Sequence, residues 1–343
     1  MPTFDTIYPL PFPSVWLQFD GTDMWSIDGT SSGTLTKLDL IGNILGTFGP
    51  ALGITGLDPL VLSFDGLHIW ITCFSGTDLI LANLDGSLFA TYPIAAYDLA
   101  TGTTTFAFDG TDMWVTGPRA SVPGGNISVK LSIAGALLST TFITAAGPSI
   151  ATLFDGTNIW TANSFDNTVT KIIAVSSTLV ATYPAGNFPG ALAYDGVNLW
   201  VTNEGDNTVT KILAATGAIL GNFPTGNSSG NYYTQIVTDL AGSVWIPNGP
   251  DNTVSQIDTV TGATTALWST GTYPIGTVFD GTYIWASNNN DSTLSTNRPL
   301  APPPPSTSLY NPRINTKNLP FHQLPFCVTD NQLRKPCPLF QLL

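Results

Sequence analysis

Four asparagines occupy one recurring place in this chain, each three residues after a tryptophan: Asn163, Asn203, Asn248 and Asn288. Carboxylates lie close by: Asp166, Glu204, Asp206, Asp251 and Asp291. Amide and carboxylate oxygens are hard ligands, and several of them brought together could hold Ca2+. Asp166, Asp206, Asp251 and Asp291 are therefore candidate calcium ligands. Asn163, Asn203, Glu204, Asn248 and Asn288 are candidate binding-loop residues. A second account stands beside this one. Short Asn and Asp side chains in loops satisfy neighbouring backbone groups, and a residue type repeated along a chain favours architecture over a single site. On that account no cofactor is bound.

Groups suited to nucleophilic or acid–base work are few: two histidines, three cysteines and a single glutamate. His68 takes a turn position held elsewhere by Asp23, Asp112, Asn158, Asn198 and Tyr283, as expected of solvated surface. Cys73 replaces the asparagine in its own repeat, and no histidine is placed to activate it. It reads as a buried, inert thiol. Cys327 and Cys337, ten residues apart, either pair in an oxidising compartment or stay free. His322 stands near them. No residue is assigned a catalytic role. Asn126, Asn227 and Asn290 each begin an Asn-x-Ser/Thr triplet, which carries little weight in so Thr-rich a chain.

The elements that must position these residues come from one pattern repeated seven times. Its copies begin at Phe19, Phe64, Phe108, Phe154, Tyr194, the degenerate Asp239 and Phe279, and read Phe-Asp-Gly-x-x-x-Trp. Successive tryptophans (Trp25, Trp70, Trp114, Trp160, Trp200, Trp245, Trp285) are 40 to 46 residues apart. A period in the forties is a propeller-blade signal. Residues 188–228 show one unit. Pro189–Tyr194 is a strand, Asp195-Gly196 a tight turn, Asn198–Thr202 a second strand, Thr208–Ile212 a third and Ala218–Phe223 a fourth. Four antiparallel strands make a blade. The tryptophans are core, one per blade, rather than a sugar-stacking platform. The last repeat lacks a fourth strand, and residues 3–8 are expected to supply it, which removes an exposed edge.

The ring is expected to end at residue 298. Residues 299–305, with Pro302–Pro305, form a stiff linker, and residues 306–343 an extended or disordered tail. Residues 1–298 hold six basic and 22 acidic side chains, a net of −16; residues 299–343 carry +3. A basic tail bearing Tyr310, Phe321, Phe326 and Phe340 on an acidic body suits an arm that links copies of the chain. A loose terminal extension is the other reading.

A net charge of −13 argues against nucleic acid as a partner. The longest apolar run is too short for a membrane span. The first residues lack a basic start followed by an apolar stretch, so no signal peptide is expected. The compartment stays open. Abundant Thr, Ser, Asn and Gly with little Lys or Arg suggests an extracellular, cell-surface or virion setting.

The run Trp200-Val-Thr-Asn203, continued by Asn207-Thr-Val209, resembles the YVTN family of β-propeller repeats. The Asp-Gly-x-x-Leu-Trp element resembles NHL and virginiamycin B lyase-like propellers. The resemblance covers roughly residues 3–298. It implies a propeller fold, in families that include lyases, lactonases, surface-layer proteins and binding platforms. The lyase chemistry known in the family relies on a histidine base, an acidic partner and a divalent metal. No family histidine motif carries over to His68 or His322.

The expected fold is therefore all-β: a seven-bladed propeller with an N-terminal latch and a C-terminal tail. The expected function is non-enzymatic, a binding or structural propeller that presents loops to a protein or glycan partner and self-associates through residues 306–343. Two alternatives remain: a metal-dependent, lactonase-like hydrolase or lyase working in the central channel, and a virion or cell-surface adhesin.

Overall fold

Each Phe-Asp-Gly segment turns the chain between the innermost strand of a sheet and its neighbour. The glycine takes a left-handed conformation (φ +91° at Gly21, +95° at Gly196), which a side chain would strain. One oxygen of the preceding aspartate accepts the N–H groups two and three residues on, as Asp195 does from Val197 (2.9 Å) and Asn198 (2.6 Å). Its other oxygen accepts the indole N–H of the blade tryptophan, at 2.8 Å from Trp200. All seven repeats make this indole bond, at 2.7–3.0 Å. The turn and the core are thus joined through one carboxylate.

The computed structural model describes residues 1–54, 57–102, 104–143, 147–227 and 234–299. It shows seven four-stranded antiparallel sheets arranged as a propeller. Blade five runs Pro189–Tyr194, Asn198–Asn203, Thr208–Leu213 and Ala218–Pro224, within a residue or two of the sequence-based bounds. All seven motif tryptophans are completely buried. An aromatic from the outer strand leans on each in most blades, as Tyr183 does on Trp160 (5.8 Å between ring centres) and Phe223 on Trp200 (6.1 Å). The same rings cover turn glycines of the next blade: Tyr183 lies against Gly217, and Phe223 against Gly262.

Lysines on the third strand add a second set of ties. Lys37, Lys130, Lys171 and Lys211 pair in register with their blade tryptophan and stand 5.0–5.6 Å from its ring centre. Each then donates to a carbonyl of the following blade: Lys37 to Leu84, Lys130 to Ala174, Lys171 to Ala214 and Lys211 to Thr259. Four of the chain's few cations are thereby fixed between blades.

The ring closes as expected. Residues Thr6–Pro9 pair antiparallel with Thr293–Asn297, the third strand of blade seven, with Thr6 opposite Thr296 and Pro9 opposite Thr293. Tyr8 stacks on Trp285 at 5.5 Å. The residues ahead of this strand do something the repeat pattern did not indicate. Thr3 bridges to Ser269 of blade six, and Phe4 is wedged edge-on against Trp245 and Trp268. The latch therefore holds two blades. Residues 300–343, with His322, Cys327 and Cys337, lie outside the described residues.

Candidate functional site

The recurrent asparagines sit at the ends of second strands, on the opposite side of the ring from the Asp-Gly turns. Each is buried to 1% exposure or less. In all four the side-chain N–H group is directed into its own blade. Asn203 donates to Thr208 (2.9 Å) and Thr210 (2.8 Å) on the third strand. Asn163 does the same with Thr168 and Thr170, Asn248 with Thr253 and Ser255, and Asn288 with Thr293 and Ser295. The amide is a clamp between the second and third strands. Three of the four oxygens are also engaged: by Ser149 at Asn163, by the Gly186 N–H at Asn203 and by Thr270 at Asn288. The Asn248 oxygen is buried with no partner among the described residues.

The candidate calcium ligands stand one to a blade. Asp206 accepts the Asn187 N–H (2.7 Å), Asp251 the Asn227 N–H (2.7 Å), and Asp291 the Thr272 N–H (2.6 Å). Each of these three ties its loop to the segment leading into the same blade. Asp166 holds the matching place in blade four. Among the described residues no three His, Cys, Asp or Glu side chains come together as a metal site.

Glu204 differs from its neighbours in kind. It follows Asn203, is only 3% exposed, and accepts the Thr234 hydroxyl at 2.7 Å. Burial pushes its pKa up to about 8, against the Thr234 hydrogen bond, which favours the anion. The carboxyl is thus largely protonated at neutral pH. It leans over Gly190, where a β-carbon would collide with it. Its place is part of a repeated tie between blades: Ser164 donates to the Pro189 carbonyl (2.9 Å), and Asn289 to the Ser14 carbonyl (3.3 Å).

Inner strands line a central channel with a cavity of about 190 Å³. Its wall is chiefly apolar, from residues such as Val61, Ala107, Leu153 and Val278, with half-exposed phenylalanines at the Asp-Gly end. Sevenfold repetition breaks at Gln235. Its backbone pairs with blade seven, donating to the Ile275 carbonyl (3.0 Å) and accepting from Thr277 (2.8 Å). Its side-chain amide then pairs with Leu17 of blade one, accepting its N–H at 3.1 Å and donating to its carbonyl at 2.8 Å. One residue so links blades six, seven and one. The inner strand of blade six is correspondingly short, only Val237–Thr238. The degenerate motif of blade six was the one sign of this irregularity in the sequence.

His68 is not the solvated side chain expected from its variable position. It is stacked on Phe89 at 4.0 Å, with Nδ1 3.3 Å from Asp65, and its side chain is 12% exposed. A neighbouring outer-strand aromatic covers it, which a single turn position cannot reveal. Cys73 is buried, and burial drives its pKa up to about 12, leaving a neutral thiol. Neither residue lines the channel. Asn126 is 1% exposed and pairs with Gly147, so the folded ring does not present it for glycosylation.

Fold and channel together define a seven-bladed β-propeller of virginiamycin B lyase-like architecture. A streptogramin B lyase structure superposes with a TM-score of 0.68 at 18% identity, covering 86% of this chain and 97% of that one. Virginiamycin B lyase from Staphylococcus aureus superposes with a TM-score of 0.69 at 16% identity, covering 85% and 97%. A catalytically inactive form of that enzyme, solved with quinupristin, matches equally well. At this identity the likeness is one of fold. No protein-family model matches the chain, and no curated protein sequence does.

Proposed function

We propose that this chain is a non-catalytic propeller, which binds a protein or glycan partner through its loops and links to further copies through its tail. Residues 1–298 form the ring, 299–305 a linker and 306–343 the linking arm. One observation carries the reading against catalysis: among the described residues, the histidine, the cysteine and the glutamate are engaged in holding the ring together. His68 is stacked and turned to Asp65, Cys73 is a buried thiol, and Glu204 joins blade five to Thr234. The lyases that share this fold are the natural challenge. Full-length protein should leave quinupristin intact, with or without added Mg2+ or Ca2+, when the compound is followed by chromatography. Loss of more than one equivalent per protein would overturn the proposal and favour the lyase reading.

A further inference from the structure

The outer strands carry a feature that neither the core nor the channel uses. In six blades the register between third and fourth strands slips by one residue, for example between Lys171 and Ile172 and between Lys211 and Ile212. Such a bulge sets two residues of one strand against one of its partner. Both then face outward. In blades three, four and five these bulged pairs are Leu137-Leu138, Leu179-Val180 and Ile219-Leu220, each residue 40–52% exposed. Blades one and two carry equivalent apolar pairs. The result is a belt of paired hydrophobic side chains around the perimeter, on strands that are also sheet edges. Exposed apolar surface on that scale marks an interaction site, and an edge strand has backbone groups free to pair.

The belt has a gap. Blade six has Thr264-Thr265 at the bulge, and blade seven is closed by the latch strand. The gap coincides with the point where the tail leaves. Asn297 is the blade-seven counterpart of Ile172 and Ile212, so residue 299 stands where other blades begin the turn into their outer strand. The surface beside the tail's root is thus the part without apolar pairs. The tail has 38 residues, Ser306–Leu343, enough to extend roughly 125 Å. Its charge opposes that of the ring, +3 for residues 299–343 against −16. We infer that the belt over blades one to five is the receptor for residues 306–343 of a neighbouring copy, whose aromatic and leucine side chains cover the bulged pairs. This rests on the assembly reading proposed above and adds the surface it uses.

The test compares full-length proteins by light scattering across a concentration series. The wild type should associate. A belt variant, Leu138→Ser with Leu220→Ser, should shift the association midpoint at least tenfold, as should a tail variant, Phe321→Ser with Phe326→Ser. Combining all four changes should add little further. Leu240→Ser, 56% exposed in a turn away from the belt, is the control and should match the wild type. A wild type that stays monomeric throughout overturns both the inference and the assembly reading. Association that the belt variant leaves unchanged overturns the inference alone. If the belt variant dissociates but the tail variant does not, the belt meets something other than the tail, and the inference again fails. Leu138, Leu220 and Leu240 are exposed, so their substitution leaves the core untouched, and an unchanged circular dichroism spectrum confirms it for every variant.

Discussion

Blades five and six are neighbours built to one plan, yet their inner strands behave differently. In blade five the inner strand has six residues, all buried, and Lys211 ties the blade forward to Thr259. In blade six only Val237–Thr238 remains of that strand, and Gln256 stands where the lysine would be. Gln256 donates to Ser243 and accepts from Trp268, so its polar ties stay within the blade. The Asp-Trp bond survives an inserted residue: Asp239 reaches Trp245 at 2.7 Å across six positions instead of five. What changes is the connection to the channel, where Gln235 replaces strand pairing by an amide that reaches blade one. Core construction is held constant while the wall is varied, which is what a ring of similar blades permits.

The comparison can be strained first at the core. Trp200→Ala and Trp245→Ala each empty a fully buried site, and each should cost about 3–5 kcal/mol, read as a drop in denaturant midpoint. A much smaller loss at Trp245 would mean that blade six is less integrated than its contacts indicate. The wall comes next. Gln235→Leu leaves the Leu17 N–H and carbonyl without partners and should cost about 1–3 kcal/mol. Thr202→Val in blade five removes one bond, to the Ala191 N–H, and should cost less, about 1 kcal/mol. Equal effects would remove the special standing given to Gln235.

A further effect concerns pH. Glu204 has a folded pKa of about 8 against 4.5 unfolded, so the folded state holds the proton more tightly. Its stabilising contribution is complete below about pH 4.5 and is lost as pH rises through about 8. Glu204→Gln should therefore reduce the loss of stability between pH 5 and pH 9 relative to wild type. Identical slopes would show that the carboxyl is better solvated than its burial indicates.

Much of the fold was legible because the repeat is local. A period near 43 residues, an Asp-Gly turn and one tryptophan per copy are all visible within a short window. The site was less so. Asparagine at Asn163, Asn203, Asn248 and Asn288 was visible, and so was the alternative that it serves architecture. The threonine and serine partners five and seven residues downstream were in plain view too, but their pairing depends on the register of two strands. Glu204 and Thr234 are 30 positions apart, and Gln235 and Leu17 are 218 apart. No spacing rule joins such residues; the packing of one blade on the next joins the first pair, and closure of the ring the second. The paired side chains of the belt also escape a simple alternation, since a bulge breaks the period of two that strand patterns rest on.

The N-terminal latch has a consequence for the order of events in the cell. Its partner strand, Thr293–Asn297, is synthesised almost 290 residues later than Thr6–Pro9. At roughly 5–20 residues per second, that is a wait of roughly 15–60 s on the ribosome. Throughout it, the first strand has no partner and the growing array of blades is an open arc with a bare edge at each end. Synthesis and ring closure are therefore coupled through the last blade, and the newly made chain is most exposed to mispairing just before its final strand emerges.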